Sequence, residues 1–202
     1  MRGKFITLEG MDGAGKSTHI PFILSLLEQA GHQVLSTREP GGTALGEKLR
    51  EILLHDAMQV DTETLLMFAA RAEHLQTMIL PALSEGKWVL SDRFTDATFA
   101  YQSGAKGLAA EKVLQLESWV QGQLQPDLTL LFDVPVEISV ARLTQARTPD
   151  KFERESADFF SRIRNAYLSR ANQQPQRIVV IDSNQTMQQV EQQIIQALQS
   201  VL

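Results

Sequence analysis

With 202 residues, 43% of them hydrophobic, the chain has apolar mass for one sizeable core and is too apolar to be disordered. Nineteen Lys and Arg against 24 Asp and Glu leave a net charge of -5, which argues against general binding to nucleic acid, and the absence of Cys excludes disulfides, thiol catalysis and Cys-ligated zinc. No apolar run approaches membrane-spanning length and no signal-type segment precedes the first apolar run, so the expectation is a soluble cytoplasmic protein.

The first predicted strand spans residues 4–9. Directly after it, Gly10-Met11-Asp12-Gly13-Ala14-Gly15-Lys16-Ser17 is a complete G-x-x-x-x-G-K-[ST] loop, followed by a helical pattern starting near Ser17. Glycines in this setting let backbone N–H groups wrap a polyphosphate, Lys16 reaches the β and γ oxygens, and the Ser17 hydroxyl is placed to ligate Mg2+. Thr18 stands beside it in the first turn, where the positive end of the helix dipole favours an anion. A nucleoside triphosphate is the expected ligand.

A second strand, residues 33–38, runs into the tight turn Arg38-Glu39-Pro40-Gly41-Gly42-Thr43. Two helices fit residues 44–85, with Leu45, Leu49 and Ile52 and then Leu65, Phe68, Ala72 and Leu75 at helical spacing. The third strand, 87–91, leads into Asp92-Arg93-Phe94. Beyond it Thr98, Tyr101 and Gln102 recur at spacings of three and four, which predicts one helix face. A helix at 109–123 precedes the fourth strand, 128–134, which carries Asp133 near its end. A basic stretch from Arg142 through Arg147 and Lys151 to Arg154 follows, then a fifth strand at 177–182 and a helix at 186–201. This alternation predicts one α/β domain over residues 1–202, with a five-stranded parallel sheet covered by helices on both faces.

Either Asp92 or Asp133 is positioned to point an acid at Mg2+ from the carboxyl edge of the sheet. Arg93 beside Asp92 brings a cation to the same edge. Arg50, Arg71 and Arg93 each follow a segment that returns to this edge, and three guanidiniums on one spot repel unless they share an anion, for which a monophosphate is the natural candidate. Phe68 lies one turn before Arg71, where an aromatic face and a cation can receive a base above a phosphate. Gln102 offers the donor and acceptor that a pyrimidine edge requires. His19, His32, His55 and His74 read as surface or packing residues, and Trp88 and Trp119 as core or interface. A switch GTPase is disfavoured, since no Asn-Lys-x-Asp guanine-reading motif occurs; another small-molecule kinase on the same fold remains the nearest alternative.

Over essentially its full length the chain resembles the bacterial thymidylate kinases. The resemblance is carried by Gly10 to Ser17, Thr37 to Thr43, Phe68-Ala-Ala-Arg71, Asp92-Arg93-Phe94 with Ala100-Tyr101-Gln102, and Asp158-Phe159-Phe160. It implies a three-layer phosphate-loop kinase with a short mobile lid at about 142–154, acting as a homodimer formed by helix packing, that transfers the γ-phosphoryl group of ATP to dTMP. It further implies that Arg71 holds the thymine edge, that Glu39, Arg50 and Arg93 surround the acceptor phosphate, and that Thr98 and Gln102 face the base with Tyr101 near the sugar. Asp12 is expected to orient either the metal's water or the sugar 3′-hydroxyl, Arg142 to lie near the adenine, and the 182–185 loop to contact it.

Three positions depart from the family pattern. Many relatives place the stacking aromatic at the position of Met67, so Phe68 requires a register adjustment. Ala97 stands where a Ser is common. Gly13 stands where some relatives carry an arginine, so the cation for the transferred group is expected from Arg147 in the lid.

Overall fold

The structure, a computed structural model, describes residues 2–144, 151–152 and 156–202. Its five strands are β1 (Phe5–Glu9), β2 (Val34–Arg38), β3 (Trp88–Asp92), β4 (Leu128–Asp133) and β5 (Ile178–Asp182). They pair, all parallel, in the order β2-β3-β1-β4-β5. Strand bounds fall within a residue of those expected. The reason is visible in burial: every residue of β1 is buried and β3 and β4 are buried but for their last residue, so the central strands read as mostly apolar runs without alternation. Two threonines in the centre, Thr7 and Thr129, hydrogen-bond each other at 2.7 Å and so remove the cost of burying their hydroxyls.

All five strands end in a charged residue: Glu9, Arg38, Asp92, Asp133 and Asp182. Parallel pairing collects these five on one edge, which is where ligands bind in open α/β sheets.

The helices are α1 (Lys16–Gln29), α2 (Ala44–His55), α3 (Val60–His74), α4 (Leu80–Ser84), α5 (Thr95–Thr98), α6 (Ala110–Gln121), α7 (Val136–Thr144), α8 (Ala157–Gln173) and α9 (Met187–Leu198). π-Helical segments Leu75–Ile79 and Phe99–Ala105 continue α3 into α4 and extend α5. The apolar stripes expected on α2 and α3 need correction. Leu45, Ile52 and Leu65 are exposed, whereas the buried face of α3 includes Glu63, Arg71 and His74. Periodicity identifies a face but not the neighbour that covers it; here the inward face carries Arg71, which lines a pocket, with Glu63 and His74 buried in ion pairs beside it.

Asp96 on α5 is buried against two arginines. Arg170 of α8 donates at 2.8 Å and Arg177, next to β5, at 2.7 Å. The charges tie α5 and α8 to the sheet.

Candidate active site

β1 delivers the glycine-rich loop. Gly10 has φ 133° and Gly13 φ 76°, and a Cβ on Gly13 would lie 2.5 Å from the Ser139 carbonyl oxygen of α7. Any side chain at position 13, an arginine included, would have to displace α7. The Lys16 ammonium lies across the loop mouth, donating to the Gly10 and Met11 carbonyls at 2.9 and 3.0 Å. Its burial, then the charge of Arg93, lowers its pKa from the usual lysine value. Ser17 and Thr18 are exposed at the start of α1. Arg142 donates to the Gly13 and Ser183 carbonyls, both at 3.3 Å, so it joins the loop to the 182–185 segment. Arg147 lies outside the described residues.

Beside the loop is a half-open pocket with a cavity volume of about 80 Å³. Arg50, Arg71 and Arg93 all line it, as do Glu39, Thr98, Tyr101 and Gln102, and Asp12 of the loop is on its wall. The guanidiniums do not stand uncompensated, as the sequence argument assumed. Arg71 donates through Nε to Glu39 at 2.7 Å, and Arg93 through Nη2 to Asp12 at 2.7 Å. Burial alone would raise the Asp12 pKa, but the charges of Arg93 and Lys16 and a 2.8 Å hydrogen bond from Tyr101 hold it well below the carboxylate range. Arg50 donates to the Pro40 carbonyl at 2.9 Å.

Arg71, buried on α3, lines the pocket. Its Nη2 donates to Thr98 at 3.2 Å, its guanidinium carbon sits 4.6 Å from the Phe68 ring centroid, and its Nη1 is buried with no partner among the described residues. Phe68 is thus buried behind Arg71 in a cluster with Phe99, Leu108 and Val113, and Met67 and Ala97 line the pocket. The expectation of Phe68 on the pocket wall is corrected: the helical adjacency that brings it to Arg71 puts it beneath the cation. Gln102 donates to buried Glu63 at 2.9 Å, which also pairs with Lys106 and Lys151. Tyr101 and Gln102 both reach the pocket from the π-helical segment, whose wider turn is a recurrent device at functional sites.

The two strand-end acids differ in their partners. Asp133 is gripped by both arms of Arg164, at 2.7 and 2.8 Å, whereas Oδ1 of Asp92 is buried with no partner among the described residues.

Several side chains escaped the sequence reading. His74, taken as a packing residue, directs Nδ1 at Glu39 (3.1 Å) and Nε2 at Thr37 (2.7 Å), and so braces the carboxylate that holds Arg71. Its position three residues after Arg71 on one helix was the available signal. Tyr167 on α8 receives a hydrogen bond from Arg93 at 3.2 Å and gives one to Glu9 at 2.8 Å; no local pattern links positions this far apart. Phe152, next to Lys151 in the expected lid, also lines the pocket. Glu9 was visible as a charge closing an apolar strand.

Burial, reinforced by Asp96, raises the Glu9 pKa from 4.5 to about 7 against the opposing influence of Arg93. An acid with a higher pKa in the folded chain binds more protons there, so its contribution to stability declines as pH rises between the two values. Relative to Glu9→Gln, the wild-type unfolding free energy is expected to fall between about pH 5 and pH 8 by on the order of 1–3 kcal/mol. Urea unfolding at stepped pH measures the difference, and a flat one contradicts the assignment.

The sequence model of the family described as thymidylate kinase matches residues 8–194. The chain is 69% identical over 195 residues to the thymidylate kinase of Methylobacillus flagellatus, covering 96% of each chain. Against that of Cupriavidus taiwanensis it is 59% identical over 203 residues, covering 100% of both. Its backbone superposes on the crystal structure of thymidylate kinase from Ehrlichia chaffeensis with a TM-score of 0.79 at 33% identity, over 98% of this chain and 99% of that one.

Proposed function

Because the chain belongs to the thymidylate kinase family, we propose that the glycine-rich loop and the adjoining pocket are the donor and acceptor halves of one phosphoryl-transfer site. The enzyme is an ATP-dependent nucleoside-monophosphate kinase that converts dTMP and ATP to dTDP and ADP for nucleotide biosynthesis. The observation that carries the site assignment is that Arg50, Arg71 and Arg93, from three separate segments, line one pocket together with Asp12 of the loop.

In this reading the loop from Gly10 to Thr18 wraps the triphosphate and Lys16 exchanges its loop carbonyls for phosphate oxygens. Arg50 and Arg93 hold the dTMP phosphate. Arg71, fixed by Glu39 and Thr98, offers its free Nη1 to the thymine carbonyl edge while Gln102 takes the adjacent positions. Tyr101 packs by the sugar, where it disfavours a 2′-hydroxyl. Asp12 fixes Arg93 and stands next to the sugar 3′-hydroxyl or the metal's water. Arg142 and the 182–185 loop take the adenine end.

Mg2+ fits the hard oxygen donors available, the exposed Ser17 hydroxyl and the unpartnered Asp92 oxygen. Ser17 and Asp92 would hold it with phosphate oxygens and water, and when bound it neutralises charge on the β and γ phosphates. The close approach of Gly13 to Ser139 supports a lid source for the remaining cation, and Arg147 is our candidate within a lid at 142–154. Both substrates are soluble nucleotides, which goes with a cytoplasmic enzyme. A homodimer is supported by an apolar groove between α3 and α6, where Leu65 is 56% and Trp119 82% exposed.

An acceptor panel tests the assignment. The thymine methyl is worth about 1–3 kcal/mol in an apolar pocket, so dTMP is expected to be preferred over dUMP by roughly 10-fold or more. dCMP, whose 4-amino group would face the Arg71 donor, should fall by on the order of 10²-fold or more in kcat/KM. Comparable values for dCMP and dTMP would refute the base-reading role.

A further inference from the structure

Arg93 is the one described non-glycine residue with a positive φ, 72°, a conformation that costs of order 1–3 kcal/mol and persists where surroundings enforce it. Two phenols do so at the side-chain end. Tyr101 receives from Nη2 at 3.0 Å, and Tyr167, arriving from α8, receives from Nη1 at 3.2 Å. A guanidinium only donates, so each hydroxyl must give its own proton elsewhere. Tyr101 gives it to Asp12 at 2.8 Å and Tyr167 to Glu9 at 2.8 Å. The other Glu9 oxygen accepts the backbone N–H of Phe94 at 2.7 Å, the residue after Arg93.

We propose that Tyr167, oriented by Glu9, is a positioning residue for Arg93, holding the guanidinium at the angle that meets the acceptor phosphate. The inference rests on Arg93 binding that phosphate. Glu9 thereby grips both ends of the residue, its side chain through Tyr167 and its backbone through Phe94. Neither Glu9 nor Tyr167 lines the pocket.

The two arms differ in their acids. Asp12 stays ionised, whereas Glu9 faces Asp96 from α5, Arg93, Lys16 from α1 and Tyr167 from α8, and takes a proton near neutrality. Oε1 is occupied by the Phe94 N–H, so the proton enters at Oε2 and deprives Tyr167 of its acceptor. The hydroxyl hydrogen must then turn from Glu9, and the grip on Nη1 weakens.

A double-mutant cycle in steady-state kinetics tests this against plain packing of a buried ring. Tyr167→Phe is expected to lower kcat/KM for dTMP about 10-fold while KM for ATP is unchanged, and to add less than about 2-fold in an Arg93→Ala background. An equal loss in both backgrounds would overturn the proposal. Unchanged dTMP kinetics in Arg93→Ala alone would instead overturn the acceptor-phosphate reading. The second readout is the ratio of wild-type to Glu9→Gln kcat/KM across pH, in which titration of the substrate phosphate near 6 cancels. It should fall from roughly 10 at about pH 8.5 toward 1 at about pH 6, and a constant ratio would contradict the proposal.

Discussion

Lys16→Ala is expected to remain folded and to lose about 10³-fold or more in kcat. The ammonium rests on the Gly10 and Met11 carbonyls, buried and with its pKa lowered, and is a short movement from any phosphate the loop receives. Phosphoryl transfer spreads charge over oxygens that need fixed cations, and a desolvated ammonium at the loop mouth supplies one after only a short movement off its two carbonyls. Removing it takes away a buried charge and leaves two carbonyls at an open loop, so the cost falls on rate more than on stability. Steady-state turnover with circular dichroism as the folding check decides the matter: near-normal kcat in a folded variant contradicts the donor assignment.

Arg71→Leu has two expected effects. Glu39 loses its strongest counter-charge and is left with His74 in a buried site, so stability should fall by about 3–5 kcal/mol, the usual result of breaking one side of a buried pair. Adding Glu39→Gln should recover part of that loss, which gives a folded background for kinetics. In either background kcat/KM for dTMP is expected to drop by about 10²- to 10³-fold with KM for ATP little changed, because the proposed site assigns the substituted group to the acceptor half alone. Equal losses for both substrates would mean that the pocket had collapsed, and the double variant would then carry the test.

The central strands were legible because burial on both faces makes them mostly apolar runs without alternation, and the loop because its glycines and lysine have fixed spacing. Arginine convergence was legible only in outline. Its counter-charges, Asp12 and Glu39, were read as substrate ligands, and the structure adds that they hold Arg93 and Arg71. Met67 lines the pocket while Phe68 lies buried against Arg71, because i,i+3 adjacency says that two side chains touch, not which of them faces a cavity. The exposed Leu65 and buried Glu63 on α3 show the same gap, since periodicity is blind to what packs against a face. Tyr167 and Glu9 act across 74 and 84 positions from Arg93 in the chain, a distance that only the folded sheet edge closes.

In the proposed site a single guanidinium, that of Arg71, reads the base while its neighbours take the phosphate. The ratio of kcat/KM for dTMP to that for dCMP, measured in wild type and in the Arg71→Leu background, tests this most directly. The ratio should be on the order of 10² or more in wild type and fall toward 1 without Arg71; an unchanged ratio would contradict it.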